Sequence, residues 1–258
     1  MELETKDFIN AYTKYREELE KVSIPNPYLP YDKYVIKNEG KGTQWPIFYF
    51  MAEDFVRELL NSINQFNTYV GRLIAWNRVL KPYTQHQKLY LLLEFVEPIA
   101  KSCLNYPYQI KNRFTFIATH LLHQSNSIKQ SDWKDDLLRG ERIYEDHLKK
   151  VSAGWPAFDP FEKALAALND DNFRKISEDY RHKEHHRVPP GIEIGITSII
   201  SRHPQGNGSI RYGLGGQQPL SLDKIIPPLQ DQHNKAVEIF YKYWELVEEQ
   251  LQVWKTQP

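Results

Sequence analysis

The sequence predicts an all-α protein: an up-and-down helical bundle with an inserted β-hairpin. Two long segments repeat apolar residues at steps of three and four, which is the period of one face of a helix. One region late in the chain has two short β-like runs joined by a glycine-rich turn, as in a hairpin. Most of the chain is therefore expected to be helical.

The N-terminal residues 1–46 are predicted to form a helix, Thr5 to Val22, and an arm rich in proline and tyrosine, Ser23 to Pro46. The first long helix follows, from about Ile47 to about Leu80. Its apolar row consists of Val56, Leu59, Ile63, Phe66, Val70, Leu73 and Leu80. Asn77 is the polar exception in this row, which hints at a contact that fixes the register of a packed partner.

The middle of the chain carries further helix signals. Thr84 and Gln87 match a capping box, the pattern that begins a helix, and Pro98 is expected to kink or end that helix. Another helix is predicted from about Tyr108 to Gln124, and a more polar one from Asp132 to Val151.

Two more helices are predicted before the hairpin. The segment 159–162 supplies an N-cap, a first-turn proline and a glutamate for a short helix through Leu168. Residues 169–171 can cap the next helix, from about Asp171 to Arg187, which Pro189 ends because a residue before proline avoids helical angles. Its narrow apolar stripe is Phe173, Ile176 and Tyr180, which favours Tyr180 as a core residue.

The hairpin is predicted as an insertion at residues 191–216. Isoleucines between Ile192 and Ile200 lead into a turn at 204–208, and a second β-like run follows. The C-terminal helix repeats apolar residues at Val237, Phe240, Trp244, Val247, Leu251 and Trp254. No internal repeat is visible, so one domain over residues 1–258 is the simpler interpretation.

Composition limits the class of protein. The single Cys103 excludes an internal disulfide, no apolar stretch reaches the roughly 20 residues that span a bilayer, and the N-terminus lacks a signal sequence. We therefore expect a cytoplasmic protein with no membrane contact. Because 33 Lys and Arg balance 33 Asp and Glu, any phosphate-binding surface must be local. Residues 181–211 carry a local excess of positive charge, with five Lys and Arg against two Glu.

The densest polar cluster is the run from Arg181 to Arg187, which holds three histidines. On a helix Arg181 and His185 share one face, and His182 and His186 share another. Arg181 and His186 lie about 140° apart unless the last helical turn unwinds.

The order Arg181-His182-x3-His186 resembles the R-x4-6-H motif of the HEPN superfamily, in which a polar residue follows the arginine. The residues after it, 187–195, resemble a stand-alone branch in which the motif helix runs into an Arg-x-Pro-Pro turn and a β-hairpin. The resemblance implies a HEPN-like bundle with metal-independent endoribonuclease activity on single-stranded RNA. It also implies a composite site at a homodimer interface and a role in toxin, defence or stress systems, where a partner protein can regulate activity.

The resemblance assigns roles to individual residues. Arg181 would stabilise the phosphate, and His186 would transfer a proton as a general acid or base. His182 would orient the phosphate as a third catalytic residue. Four neighbours are candidate substrate-binding residues: Tyr180, Lys183, His185 and Arg187. No metal or cofactor is expected.

Arg113 and His120 form a second match, R-x6-H, but the apolar Phe114 follows the arginine. We interpret this pair as packing or supporting groups, with His120 a candidate to face the site from a neighbouring helix.

Each assignment has an alternative. Arg181 can pair with Glu178 or Glu184 on a solvated face, and His185 can be an ordinary surface residue. His182 and His186 have the spacing of a zinc pair, with His185 adjacent. A third ligand would have to come from a distant His120, His123 or carboxylate, and neither an HExxH pattern nor a cysteine pair is present. The same bundle could also bind RNA, a nucleotide or a protein without cleaving anything.

Overall fold

The computed structural model describes residues 3–23, 28–137, 143–206 and 208–256. Within these ranges the chain is mainly helical and contains one two-stranded antiparallel sheet. The predicted class, an all-α bundle with an inserted β-hairpin, is therefore confirmed. Among the described residues, no helix combines the length and apolar character needed to cross a membrane.

The elements have the following bounds. The helices are α1 (Thr5–Glu20), α2 (Trp45–Leu80), α3 (Gln85–Leu91), α4 (Glu97–Lys129), α5 (Glu145–Val151), α6 (Phe158–Ala166), α7 (Asp171–Ile176), α8 (Tyr180–His186) and α9 (Leu222–Lys255). A 3₁₀ turn at Tyr31–Lys33 and a π-helical turn at Leu92–Val96 supplement them. The strands are β1 (Ile200–Pro204) and β2 (Ile210–Leu214).

Residue contacts group the chain into two compact units. Unit 1 comprises Met1–Pro25, Asn67–Tyr106 and Asp170–Asp231, and unit 2 comprises Asn26–Phe66, Pro107–Asn169 and Gln232–Pro258. The single domain expected from the sequence stays a prediction.

Unit 1 is built around aromatic stacking. The Trp76 ring lies 4.5 Å from the Tyr15 ring and 5.0 Å from the Phe95 ring, and each pair is inclined by only 11°. Large flat rings bury much apolar area at little entropic cost, so this stack anchors the unit. The polar exception Asn77 donates a hydrogen bond to Asp223 at 2.7 Å, so it has a partner within its own chain.

Unit 2 has its own aromatic centre. The Phe114 ring lies 6.0 Å from the Phe161 ring and 5.7 Å from the Tyr243 ring, and all three side chains are buried. Burial raises the pKa of the Tyr243 hydroxyl far above its usual range.

Several local predictions are confirmed. Helices α2 and α9 include the segments expected from their apolar rows, and α1 begins at the predicted Thr5 and ends two residues before Val22. Thr84 caps α3 by accepting from the Gln87 backbone N–H at 3.4 Å, while the Gln87 side chain accepts from the Thr84 N–H at 3.1 Å. Asp170 caps α7, because its carboxylate accepts from the Phe173 N–H at 2.7 Å.

The predicted break at Pro98 takes another form. The Glu97 N–H bonds to the Leu92 carbonyl five residues earlier, so the irregularity is a π-helical turn just before the proline. Pro98 itself lies in the first turn of α4, where a missing N–H is tolerated. The separate helix predicted from Tyr108 to Gln124 was too short, because α4 continues through Pro107 and runs to Lys129.

The polar helix predicted from Asp132 to Val151 was wrong over most of its length. Residues 130–137 form turns and irregular chain, residues 138–142 lie outside the described ranges, and only α5 is helical. This segment has few apolar side chains to bury, and most helical stability comes from a buried face. Helix α6 also begins earlier than expected, with Ala157 as its N-cap, and it ends before Leu168.

The helix predicted from Asp171 to Arg187 is two helices, α7 and α8. Between them Glu178 and Asp179 both adopt left-handed angles with φ of 53°. Ile176 at the end of α7 is exposed, so it does not belong to the buried stripe.

The hairpin lies within the predicted insertion, although its strands are shorter than the isoleucine pattern suggests. Ile200 pairs with Leu214 and Pro204 with Ile210. Outside the two strands there are two isolated bridges, a parallel one between Ile192 and Leu220 and an antiparallel one between Thr197 and Gln217.

Candidate functional site

The motif run forms helix α8, whose two ends are fixed by backbone geometry. It begins after the left-handed Asp179 and ends at Arg187, which is extended with φ of −150°. The Arg187 N–H bonds to the Lys183 carbonyl at 2.7 Å, so the last turn is closed. Pro189 lies two residues after Arg187, and it disfavours helical angles at the preceding Val188.

Tyr180 anchors the first turn of α8. Its side chain is 1% exposed, as the core interpretation predicts. Burial raises the pKa of its hydroxyl far above the usual range, and the nearby Glu184 and Glu97 carboxylates raise it further. The ring fixes the position of α8 in unit 1, and the separate expectation that Tyr180 contacts substrate stays a prediction.

Two acidic side chains beside the motif have defined partners. Glu184 accepts from the Asn105 amide at 2.6 Å. Glu178 accepts from the Gln217 amide and lies 3.8 Å from the Lys183 ammonium. These contacts tie the predicted substrate-binding residue Lys183 to the junction that precedes α8.

The three histidines are exposed side chains near the end of α8. The His182 and His186 rings lie 4.9 Å apart between centroids, as expected for residues four positions apart. The His185 ring lies 6.4 Å from the His186 ring, and Arg187 beside them is exposed. The site therefore offers imidazole groups to solvent on a short, well-anchored helix.

Arg181 and His186 do not share a face of α8. Because the helix stays regular through His186, the two side chains leave it about 140° apart. The unwinding that could have brought them together does not occur before Arg187. Arg181 is half-buried, whereas His186 is exposed. A reaction that uses both residue types needs a contribution from a second chain or a rearrangement of α8.

The second R-x6-H pair lies in unit 2 and has its own contacts. The Arg113 guanidinium contacts the Ser62 hydroxyl and lies 3.5 Å from the Glu58 carboxylate. The His120 ring lies 4.3 Å from the Phe116 ring, and burial lowers the pKa of the imidazole. The supporting role predicted for this pair stays a prediction.

Unit 2 also contains a polar cavity of about 730 Å³ that the sequence analysis did not anticipate. His123 lines it, with its Nε2 3.3 Å from the Asp135 carboxylate and its carbonyl bonded to the Trp133 indole N–H at 2.9 Å. The other lining residues are Asn126, Gln130, Asp132, Lys134, Asp136, Leu137, His147, Lys150 and Val151. Charges of both signs line this cavity, so its chemistry alone selects no ligand.

Within the described ranges, no group of three or more His, Cys, Asp or Glu side chains is arranged to hold a metal ion. Comparison of the chain with protein-family models, with curated proteins and with solved structures gave no match. A function can therefore be proposed only from the side chains on and around α8.

Proposed function

We propose that the protein is a metal-independent endoribonuclease that cleaves single-stranded RNA at a composite site built from the α8 helices of two chains. The observation that carries this proposal is the exposed His182 and His186 pair beside Arg181 near the end of α8. The order of these residues resembles the HEPN R-x4-6-H motif. The surrounding residues 181–211 add a local excess of positive charge that suits a phosphate backbone.

The chemistry needs one group to accept a proton and another to donate one. The RNA 2′-hydroxyl loses its proton and its oxygen attacks the adjacent phosphorus. The bond to the 5′-oxygen breaks, and that oxygen takes up a proton, which leaves a 2′,3′-cyclic phosphate and a 5′-hydroxyl. His186 is suited to the proton transfers, and the Arg181 guanidinium can stabilise the charge that builds on the phosphate oxygens.

A site shared by two chains overcomes the separation of Arg181 and His186 on α8. One histidine cannot be base and acid at the same moment, and Arg181 and His186 of a single helix point about 140° apart. A two-fold dimer presents each residue twice, so Arg181 of one chain and His186 of the other can meet at one phosphate. His182 then lies beside His186 and can orient the phosphate.

The same separation also favours a second candidate, a module that binds RNA, a nucleotide or a protein without cleaving it. In a single chain α8 presents a cationic, hydrogen-bonding surface but not a complete catalytic pair. Binding would use Lys183, His185 and Arg187, and chemistry would be absent.

The decisive experiment is cleavage of a mixed-sequence single-stranded RNA by purified protein in EDTA. Arg181→Ala and His186→Ala should each lower the rate by about 100-fold or more, because Arg181→Ala removes a donor that stabilises charge on the phosphate and His186→Ala removes the general acid–base group. His86→Ala removes an exposed histidine on α3 and is the matched control that should cleave like wild type.

Absence of cleavage by the wild type, or equal cleavage by the motif variants, would reject the ribonuclease. In that case RNA binding that is lost in Arg187→Ala but kept in His86→Ala would establish the binding module.

A further inference from the structure

The β-hairpin has two chemically different faces. Directly opposed residues share a face, so the β1–β2 register sorts the side chains. One face, named here the apolar hairpin face, consists of Ile200, Arg202, Pro204, Ile210, Tyr212 and Leu214. The opposite face consists of Ser201, His203, Arg211 and Gly213 and is polar.

The apolar hairpin face is open to solvent. Leu214 is 90% exposed, Tyr212 66% and Ile200 65%. At roughly 200 Å² for a fully exposed large side chain, this face presents about 500 Å² of apolar surface. A hairpin of two strands is only marginally stable alone. A partner that covers an exposed apolar face of this size would therefore stabilise it.

We propose that the apolar hairpin face binds the same face of a second copy of this chain, and that this contact assembles the composite site. The inference rests on the proposed function, which requires two copies of α8. A two-fold interface of standard size covers about 800 Å² on each partner, and about 65% of a homodimer interface is apolar. The two values imply about 500 Å² of apolar surface on each partner, which is the apolar area that the hairpin face presents.

The composition of the face also suits self-association. Its one charged residue, Arg202, lies directly opposite Tyr212. In a two-fold interface each contact occurs twice, so Arg202 of either chain can stack on Tyr212 of the other. Its remaining side chains are aliphatic and offer no hydrogen bonds to bases, which favours a protein partner over RNA. His203 and Arg211 lie on the opposite face and take no part in this contact.

The base of the hairpin is connected to α8 by contiguous contacts. Thr197 and Gln217 exchange backbone hydrogen bonds of 3.1 and 2.7 Å at that base. The Gln217 side chain donates to Glu178, whose carboxylate lies 3.8 Å from Lys183 on α8. Docking of the hairpin therefore also fixes the junction that orients the motif helix, and cleavage should depend on protein concentration.

Sedimentation velocity over a dilution series, together with the RNA assay, tests this proposal. Leu214→Asp places a carboxylate at the most exposed position of the apolar hairpin face, opposite Ile200, and should raise the dimer dissociation constant by about 100-fold or more. His203→Asp places the same group on the opposite face of the same strand pair and should leave the dimer intact. The helical circular dichroism of both variants should equal that of wild type, because the hairpin contributes little to it.

The outcomes separate the two proposals. Loss of both the dimer and RNA cleavage in Leu214→Asp, with Arg181→Ala still dimeric but inactive, supports the inference. If Leu214→Asp weakens the dimer but the wild type cleaves no RNA, the interface is supported and the ribonuclease is rejected. A monomeric wild type overturns the inference, because the face would then be left to a different protein. A Leu214→Asp dimer as tight as that of wild type also overturns it.

Discussion

His233 is a histidine buried in α9, and its burial should make the stability of the protein depend on pH. The side chain is 1% exposed and meets the edge of the Phe66 ring at 5.9 Å between centroids. Its Nδ1 atom has no hydrogen-bond partner within the described residues. This apolar setting disfavours the charged imidazolium and lowers the pKa of His233 to about 4, against an ordinary value of 6.5.

The direction of the effect follows from proton binding. Between pH 6.5 and pH 4 the unfolded chain holds a proton at this position and the folded chain does not, so acid favours unfolding. The contribution of His233 to stability is complete above pH 6.5 and is lost as the pH falls towards 4. At 1.36 kcal/mol for each pKa unit, the loss attributable to this histidine is about 2 kcal/mol at pH 5 and about 3 kcal/mol below pH 4.

Urea unfolding at pH 7.5 and pH 5.0 measures this loss. We compare wild type with His233→Gln, which removes the titrating group, and with Ile239→Val, which removes one buried methyl group from the same helix. Wild type and Ile239→Val should lose equal free energy of unfolding on acidification, while His233→Gln should lose about 2 kcal/mol less. Equal losses in all three proteins would contradict the assignment of acid sensitivity to His233.

Two further predictions concern elements of unit 1. Thr84→Ala should lower the free energy of unfolding by about 1 kcal/mol because it removes the N-cap acceptor of α3, whereas Thr84→Ser should retain it in the same urea titration. Trp76→Ala should lower the free energy of unfolding by about 3–5 kcal/mol, because it removes the ring stacked between Tyr15 and Phe95. The control is Phe50→Ala at an exposed position, which should change the urea midpoint little. If Phe50→Ala and Trp76→Ala lowered the free energy of unfolding by comparable amounts, the importance of the stack would be refuted.

The elements that were predictable from sequence are those whose cause is local or periodic. A buried helix face requires apolar residues at steps of three and four, so α2 and α9 could be recognised from their rows alone. The capping box of Thr84 and Gln87 involves residues three apart, and its hydrogen bonds form as expected.

The errors arose where distant residues decide the backbone. Glu178 and Asp179 adopt left-handed angles, which few residues other than glycine take. The Gln217 contact to Glu178, from 39 positions further along the chain, supports that geometry and divides the predicted helix in two. A single-sequence pattern does not contain this contact.

The candidate site shows the same division. The three histidines and Arg181 are adjacent in sequence, so their clustering on α8 could be predicted. The polar cavity around His123 could not be predicted, because Trp133, which lines it, lies in irregular chain that the sequence pattern predicted as part of a helix. The composite site proposed between two chains depends on an interface, for which the exposed Leu214 and Tyr212 are the structural indication.

The π-helical turn at Leu92–Val96 has a consequence for how the length of this chain can change. Its closing bond spans five residues, so the turn holds one residue more than an ordinary α-helical turn. Deleting a residue elsewhere in a helix rotates everything after it by about 100° and buries the wrong side chains. Deleting the exposed Leu93 would convert this turn to regular α-helix and leave the buried Leu91 and Ala100 on their present faces. Homologous chains that are one residue shorter are therefore expected to carry the gap at this turn.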